Sequence, residues 1–512
     1  MLMELELSVL SLLGVALDEI LLLLAIAGSG KTRGVARYHA AQTVAHSLLA
    51  GPTIALIGEI EDWMKRFACQ VPVTAIHSEQ GSRAVTERVR KWFEHQAKTE
   101  PPAGGILVCS HAALLNMAAP ENAGEFDLFV DECPEIFEFE SRRFADRTNH
   151  KMITRYIEAQ PYTKGVLRLT AAYDPDFSYD RLVFIARNWP HDDHNALEQK
   201  FAANVVDPNK WVFVLEDQWN DLTLPHSAHV YKSALEVLSI LHPDRFAPWK
   251  SLTVMGARAN RTMLHLLWRR LFHQDFGMHP LQAGLPAQHE NGHRLTIRYF
   301  WQDRATRAFL GRTAEGGGTM QAAMCRAVAK HFSDRPFLWS LPQPRDDGGV
   351  RDNFWKGGGS AFNSKLRLPG RSFGLNEWRD HCNAALLSVI NFNSEQVRLL
   401  EALGLEPEAI FDALTVTILY QDLMRCNLRV PDGSGEVECV LPDGPAALAL
   451  AAEFPGCRVE QMPADMIPQL IERRHGPAST GLAMTDAERQ RKRRAIQRAK
   501  KDGAAFAAKE HC

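Results

Sequence analysis

The sequence has no CxxC pair and no Cys/His cluster at zinc-finger spacing; its nine cysteines are odd in number and scattered from Cys69 to Cys512. That excludes a disulfide-stapled or finger-type zinc fold and makes a reducing cytoplasm the expected setting. A charge of one sign is also missing: 58 Lys+Arg stand against 61 Asp+Glu, a formal net charge of −3. No global field would draw the chain onto a polyanion, so any such contact must be local. The apolar stretch from Leu7 to Ala27 carries Asp18-Glu19, and no Lys or Arg precedes it. A secretory signal needs a positive start, and adjacent carboxylates are costly in hydrocarbon. The start therefore reads as a short amphipathic leader, residues 1–20, with no membrane partner expected. With 46% hydrophobic and 23% charged residues over 512 positions, a collagenous or disordered chain is excluded and about three globular units are expected.

The run Leu21-Leu22-Leu23-Leu24-Ala25-Ile26 has the make-up of a buried strand, and Ala27-Gly28-Ser29-Gly30-Lys31-Thr32 comes directly after it. A helix-suited stretch then runs from Arg33 to Leu49. Strand, glycine turn, GK[ST], helix is the order that cradles phosphate: backbone amides approach the oxygens, a lysine meets the β/γ charge and a hydroxyl serves Mg²⁺. Ala27, Gly28, Ser29, Gly30, Lys31 and Thr32 are the candidate nucleotide-binding residues, with Ala25 standing where the general pattern has its first glycine. About a hundred residues on, Phe126-Asp127-Leu128-Phe129-Val130-Asp131-Glu132 reads as a buried strand ending in two carboxylates. In phosphate-loop proteins such a pair divides the work: Asp131 would hold Mg²⁺ and Glu132 would polarise the attacking water. ATP and Mg²⁺ are thus the expected ligands.

These two motifs, with four further segments, resemble the DEAD/DEAH-like superfamily 2 helicases, in particular divergent versions from bacteriophages and mobile elements. Leu169-Thr170-Ala171-Ala172 resembles the family's segment coupling nucleotide state to the nucleic-acid groove, which implies a coupling role for Thr170 and Ala171. The stretch Ile106 to Leu115 resembles the strand-contacting segment, implying Ser110 and His111 as contacts; Ser110 is equally a helix cap and His111 equally a surface ring. Gly370 to Asp380 resembles a loop near the interdomain cleft, with Gly374 and Asn376 implied as contacts. Gln421-Asp422-Leu423-Met424-Arg425-Cys426-Asn427-Leu428-Arg429 resembles the arginine-finger motif, implying that Gln421 touches nucleotide and that Arg425 or Arg429 reaches the γ-phosphate. On a helix these three would share a face.

The resemblance implies an α/β fold with two RecA-like domains on parallel sheets, matching the alternation of strand and helix signals from Leu21 to Leu169. In that alternation Thr53-Ile54-Ala55-Leu56-Ile57 reads as a strand and residues 82–98 as a helix. The expected domains are 21–245 and 251–431, the second opening on a strand at Ser251 after a linker marked by Pro243 and Pro248. Strands are expected at Leu295 to Trp301 and Phe337 to Leu341, and a hairpin turn at Pro431 to Gly435. A small extension (432–484) and a basic helical tail (485–512) complete the chain. Between Thr485 and Lys501 eight cations face two carboxylates, net +6, and Thr485 and Glu488 are spaced as a capping box. Gly357-Gly358-Gly359, flanked by Trp355 and Lys356, reads as a surface loop, and Trp189 to His194 as a polar turn rather than a metal site.

The resemblance therefore implies an ATP-dependent helicase or translocase, with nucleic acid as partner, DNA ahead of RNA, and replication or recombination proteins beside it. Two alternatives stay open: a DNA-binding NTPase switch such as a loader or defence ATPase, and a nucleic-acid-binding protein whose phosphate loop has degenerated.

Overall fold

The computed structural model describes residues 19–41, 45–67, 71–80, 84–98, 104–142, 151–172, 178–188, 193–223, 234–341, 362–369, 377–430 and 432–471. The leader up to residue 18, Trp189 to Asp192, the second glycine run with Trp355 and Lys356, the segment bearing Gly374 and Asn376, and the basic tail lie outside the described residues.

The expected α/β architecture with two parallel sheets is present, and a third, antiparallel sheet joins it. The first sheet has seven parallel strands: β1 (Ile20–Leu24), β2 (His46–Gly51), β3 (Val73–Ile76), β4 (Gly105–Ser110), β5 (Asp127–Asp131), β11 (Ser251–Gly256) and β12 (Phe276–Met278), in the spatial order β12-β1-β11-β5-β2-β4-β3. Its central strands read as near-continuous apolar runs because both faces are covered. On β2, for example, Leu48 and Ala50 join one core while Leu49 joins the core on the other face.

Between β5 and β11 the chain builds a five-stranded antiparallel sheet from β6 (Phe137–Arg142), β7 (Ile157–Thr163), β8 (Val166–Ala171), β9 (Lys210–Leu215) and β10 (Leu235–Leu241), ordered β6-β10-β9-β8-β7. Alternation divides its side chains. Val212 and Val214 belong to a separate core with Leu182, Ile185 and Phe201, whereas Phe213, Leu215, Leu238 and Ile240 enter the core of the first domain. The second parallel sheet comprises β13 (Leu295–Trp301), β14 (Leu338–Ser340), β15 (Asn383–Leu386), β16 (Val437–Asp443) and β17 (Arg458–Gln461), in the order β14-β15-β16-β13-β17.

Several expectations are corrected. Ser251–Gly256 does not open the second domain: Thr253 to Gly256 pair with Leu21 to Leu24, and Ser251 to Met255 with Asp127 to Asp131, so this strand sits inside the first sheet. Val437–Asp443 is no extension either, since it lies between β13 and β15 in the second sheet. The expected strand at Thr53 is a helix, Ile54–Arg66: Thr53 caps it by accepting from the Leu56 amide at 3.2 Å, and the buried residues Leu56, Ile57, Ile60 and Met64 fall at helical spacing. The helix after the phosphate loop is shorter than expected, Lys31–Ala40, because His46–Gly51 is already a strand. The residues leading directly into Pro431 are not a strand: Asn427–Arg429 is a 3₁₀ turn.

A half-buried ion network ties the second sheet to the helix beside it. Glu438 on β16 accepts from Arg298 Nε at 2.6 Å and Arg335 Nη1 at 2.9 Å, and lies 2.8 Å from His331 Nε2. Burial alone would raise its carboxyl, but these hydrogen bonds bring it from 4.5 down to about 2. A depressed carboxyl stabilises the fold above its ordinary pKa, and that stability is lost as pH falls through the depressed value. Glu438→Gln is therefore expected to cost about 2 kcal/mol near neutrality and to flatten the pH dependence of Tm between pH 4.5 and about 2, measured by thermal melts across that range. A variant melting curve parallel to wild type at every pH would refute it.

Candidate functional site

The C-terminal edges of β1, β11 and β5 lie side by side, so the segments leaving these strands face a common crevice. After β1 the chain makes a turn and enters helix α1 (Lys31–Ala40). Gly28 and Gly30 hold φ of 82° and 86°, the left-handed region where other residues are strained. Gly30 is the residue that caps α1, and having no side chain it leaves the first helical amides to an external acceptor; no acidic residue occupies the first turn. Ser29 Oγ is buried with no hydrogen-bond partner.

Lys31 is buried, and its Nζ donates to the carbonyls of Ala25 at 3.0 Å and Ile26 at 3.4 Å. Burial lowers its pKa, an effect opposed by Glu132 and Asp131. Thr32 Oγ1 donates to Asp131 Oδ2 at 2.9 Å, which joins the loop to the end of β5. Burial pushes the Asp131 carboxyl up, while Lys31 and the Thr32 hydrogen bond pull it down. Glu132 comes next at φ 60°, an uncommon conformation for a residue with a side chain. Its Oε2 accepts from Gln421 Nε2 at 3.1 Å; burial raises this carboxyl too, against the pull of Lys31.

Gln421 belongs to the second domain, on a helix (Thr417–Leu423) that ends two residues beyond it. The expected single helical face through Arg429 is thus corrected: Arg425 lies past the helix end, and Arg429 closes the 3₁₀ turn Asn427–Arg429. The turn still delivers both arginines to the crevice. A Cβ added at Gly28 would meet Arg429 Cγ at 2.9 Å, and both guanidinium groups act electrostatically on Lys31 and Glu132. Burial brings Arg425 down to about 10, with Arg429 adding to the effect and Glu132 resisting it.

Lys31, Thr32, Asp131, Glu132, Gln421, Arg425 and Arg429 are thus brought together, and the donor set fits a Mg-nucleotide. Unspent amides, an orphaned hydroxyl on Ser29 and three cations suit a polyphosphate, and the Thr32–Asp131 hydroxyl–carboxylate pair suits a hard cation with oxygen ligands. Gly28→Ala is expected to weaken nucleotide affinity by ~10- to 100-fold, because the methyl would strain a left-handed turn and displace Arg429. Titration of a fluorescent nucleotide checks this; affinity equal to wild type would refute it.

Other expected positions fare differently. Ser110 takes the helix-cap alternative, accepting from the Ala113 amide at 3.2 Å. His111 is no surface ring: its Nε2 lies 3.0 Å from the Asp131 carbonyl, and burial holds the ring neutral, at about 4. It thereby fixes the backbone of the carboxylate strand. Thr170 and Ala171 are not brought to the crevice, because β8 pairs antiparallel with β7 and β9 in the inserted sheet. The place between the phosphate strand and the carboxylate strand belongs to the end of β11, Gly256-Ala257-Arg258.

Two features escaped the sequence reading. Arg258 is buried and donates to Asp412 and Glu453 of the second domain. Tyr420, next to Gln421, accepts from the Ala27 amide at 2.9 Å and lies 2.8 Å from His289 Nε2. Burial lowers His289 to about 4, so the ring that meets the Tyr420 hydroxyl is neutral. Adjacency to Gln421 was the available signal for Tyr420; nothing local marked Arg258.

Among the described residues no group of three or more metal-ligating side chains occurs, and no helix is long and apolar enough to cross a membrane. No family model matches the sequence, and no curated protein matches it. Solved structures do. The chain is similar to S. tokodaii Xpd4, with 12% identity over 87% of this chain and 96% of that one, at a TM-score of 0.44. It is similar to S. cerevisiae Dbp5 bound to RNA and ADP BeF3, with 8% identity, 88% and 86% covered, and a TM-score of 0.33. A third likeness is to the Mycobacterium smegmatis helicase Lhr bound to ssDNA and AMP-PNP, with 12% identity, 88% and 48% covered, and a TM-score of 0.30.

Proposed function

We propose that the chain is an ATP-dependent motor on nucleic acid, a helicase or translocase that hydrolyses ATP in the cleft between its two parallel-sheet domains. The observation that carries this reading is convergence: the phosphate loop and two carboxylates of the first domain meet Gln421, Arg425 and Arg429 of the second in one crevice. Bound Mg²⁺ would supply positive charge to the phosphate oxygens, with Thr32 and Asp131 as its protein ligands. Lys31, now held on the carbonyls of Ala25 and Ile26, would turn to the β/γ oxygens. Glu132 orients the attacking water, and an arginine from the second domain neutralises the charge that develops on the transferred phosphoryl. Hydrolysis then removes a group that both domains grip, so the cleft can open and close once per turnover. Arg258, tied to Asp412 and Glu453, lies across the same domain junction.

The nucleic-acid half of the proposal is supported by the net +6 between Thr485 and Lys501 in a chain whose total is −3. DNA is the first polymer to test and RNA the second, and replication or recombination proteins are the partners such an activity implies. The deciding experiment is steady-state ATP hydrolysis with and without single-stranded DNA or RNA, with Glu132→Gln as the blank. Polymer-stimulated turnover supports a motor. Turnover indifferent to every polymer would replace it by an NTPase switch, and no turnover would leave a degenerate phosphate loop.

A further inference from the structure

A second cluster of aromatic and cationic side chains lies on the inserted antiparallel sheet. On β8 and β9, Arg168 and Trp211 share the face whose other residues, Val166, Phe213 and Leu215, are buried in the first domain's core. Arg168 and Trp211 are half-buried, Trp211 packing at the edge of that core with its ring centroid 4.7 Å from Phe272 and 5.4 Å from His242. The Arg168 guanidinium carbon lies 3.9 Å from the centroid of the Trp211 ring, and its buried Nε has no hydrogen-bond partner. Tyr162, on β7 and 36% exposed, stands 5.8 Å from Trp211 and 4.9 Å from Phe213.

The charges around these rings are unbalanced. Lys164 is exposed on the β7–β8 turn, and Arg270, also exposed, donates from its Nε to the Leu403 carbonyl at 3.4 Å. Among the described residues, neither Arg168 nor Arg270 forms an ion pair. Two carboxylates border the cluster: Asp244, which lies 3.4 Å from His242, and Glu216, whose amide donates to the Gly165 carbonyl. A guanidinium stacked on an indole keeps its in-plane donors for an anion, since the ring occupies only its flat face. An exposed phenol ring beside it offers a flat apolar surface. A ligand that satisfies both must alternate negative charge with accessible planar rings, which single-stranded nucleic acid does at every nucleotide, whereas a duplex hides its ring faces and an acidic peptide without aromatic residues has none.

We infer that this cluster is a base-stacking station for single-stranded nucleic acid, with Tyr162 receiving a base and Arg168, backed by Trp211, receiving the adjoining phosphate. It rests on the proposed action on nucleic acid but uses none of the nucleotide-site residues, so the two are separable. The test is anisotropy of labelled oligothymidylate and oligouridylate with the full chain, as a function of salt, beside hydrolysis measured without polymer.

Tyr162→Ala and Arg168→Gln are each expected to weaken binding about tenfold and to leave hydrolysis without polymer unchanged. Arg168→Gln lowers the slope of log affinity against log salt by about 0.7, as loss of one phosphate contact on a single strand requires, and Tyr162→Ala leaves the slope alone. Tyr162→Phe retains wild-type affinity, because the ring and not the hydroxyl does the stacking. Variants that bind like a wild type which itself binds polymer overturn the station and leave the motor intact; a wild type that hydrolyses ATP but binds no polymer overturns both. Equal affinity for blunt duplex, or equal competition by polyglutamate, also overturns it.

Discussion

Replacing Glu132 by Gln is expected to lower kcat for ATP by about 10² or more while nucleotide affinity stays within about threefold of wild type. The substitution keeps the side chain's length and volume, so the φ of 60° at this position and the packing around it are conserved. It removes the negative charge of a carboxylate whose Oε2 accepts from Gln421 Nε2 at 3.1 Å and on which Lys31, Arg425 and Arg429 all act. Phosphate recognition does not depend on it, because the loop amides, Lys31 and the Thr32–Asp131 pair are separate groups. Water activation, in the proposed mechanism, does. A nucleotide-binding titration beside steady-state turnover separates the two effects: a kcat within a factor of about three of wild type would remove Glu132 from the reaction, and lost binding would make it a structural residue.

The site was legible in the sequence where its chemistry is local. Lys31 and Thr32 come after a strand-like run and two glycines, and Asp131-Glu132 ends another apolar run; both signals are complete within about ten residues. Gln421, Arg425 and Arg429 came as a set from the resemblance of Gln421 to Arg429 to an arginine-finger motif, although the helix carrying Gln421 stops at Leu423. Strand order was hidden. The chain leaves the first sheet at Asp131, builds an entire antiparallel sheet, and returns at Ser251 to insert a strand between β1 and β5. Along the chain, a fresh apolar strand after two prolines marks a new domain; in space, it is the strand between the phosphate loop and the carboxylates. The same blindness left Arg258 unnoticed, because its partners Asp412 and Glu453 lie far along the chain. Thr53 to Ile57 failed for a different reason: a short apolar run has no distinguishable period, and it was the Thr53 cap that decided for helix.

The second large effect is expected at the arginines. Arg429→Ala should reduce kcat by about 10³, and Arg425→Ala by about 10², each with a smaller change in KM. The difference arises from where the two side chains lie. Arg429 is against the phosphate loop itself, so close that a methyl on Gly28 would meet its Cγ at 2.9 Å, which puts its guanidinium beside the phosphates that the loop would bind. Arg425 shares its charge with Glu132 and Asp422, and burial already weakens its hold on its proton, to about 10. Under the proposed mechanism its contribution is therefore divided between orienting the carboxylate and stabilising the transition state. Lysine at 429 should not restore the rate, because a single ammonium cannot present the planar fork that meets two phosphoryl oxygens at once. Pre-steady-state measurement of a single turnover, where product release is not counted, is the deciding assay. Wild-type rates in both variants would mean that the second domain touches the nucleotide loop without taking part in the chemistry, and with that the coupling of hydrolysis to domain movement would lose its physical basis.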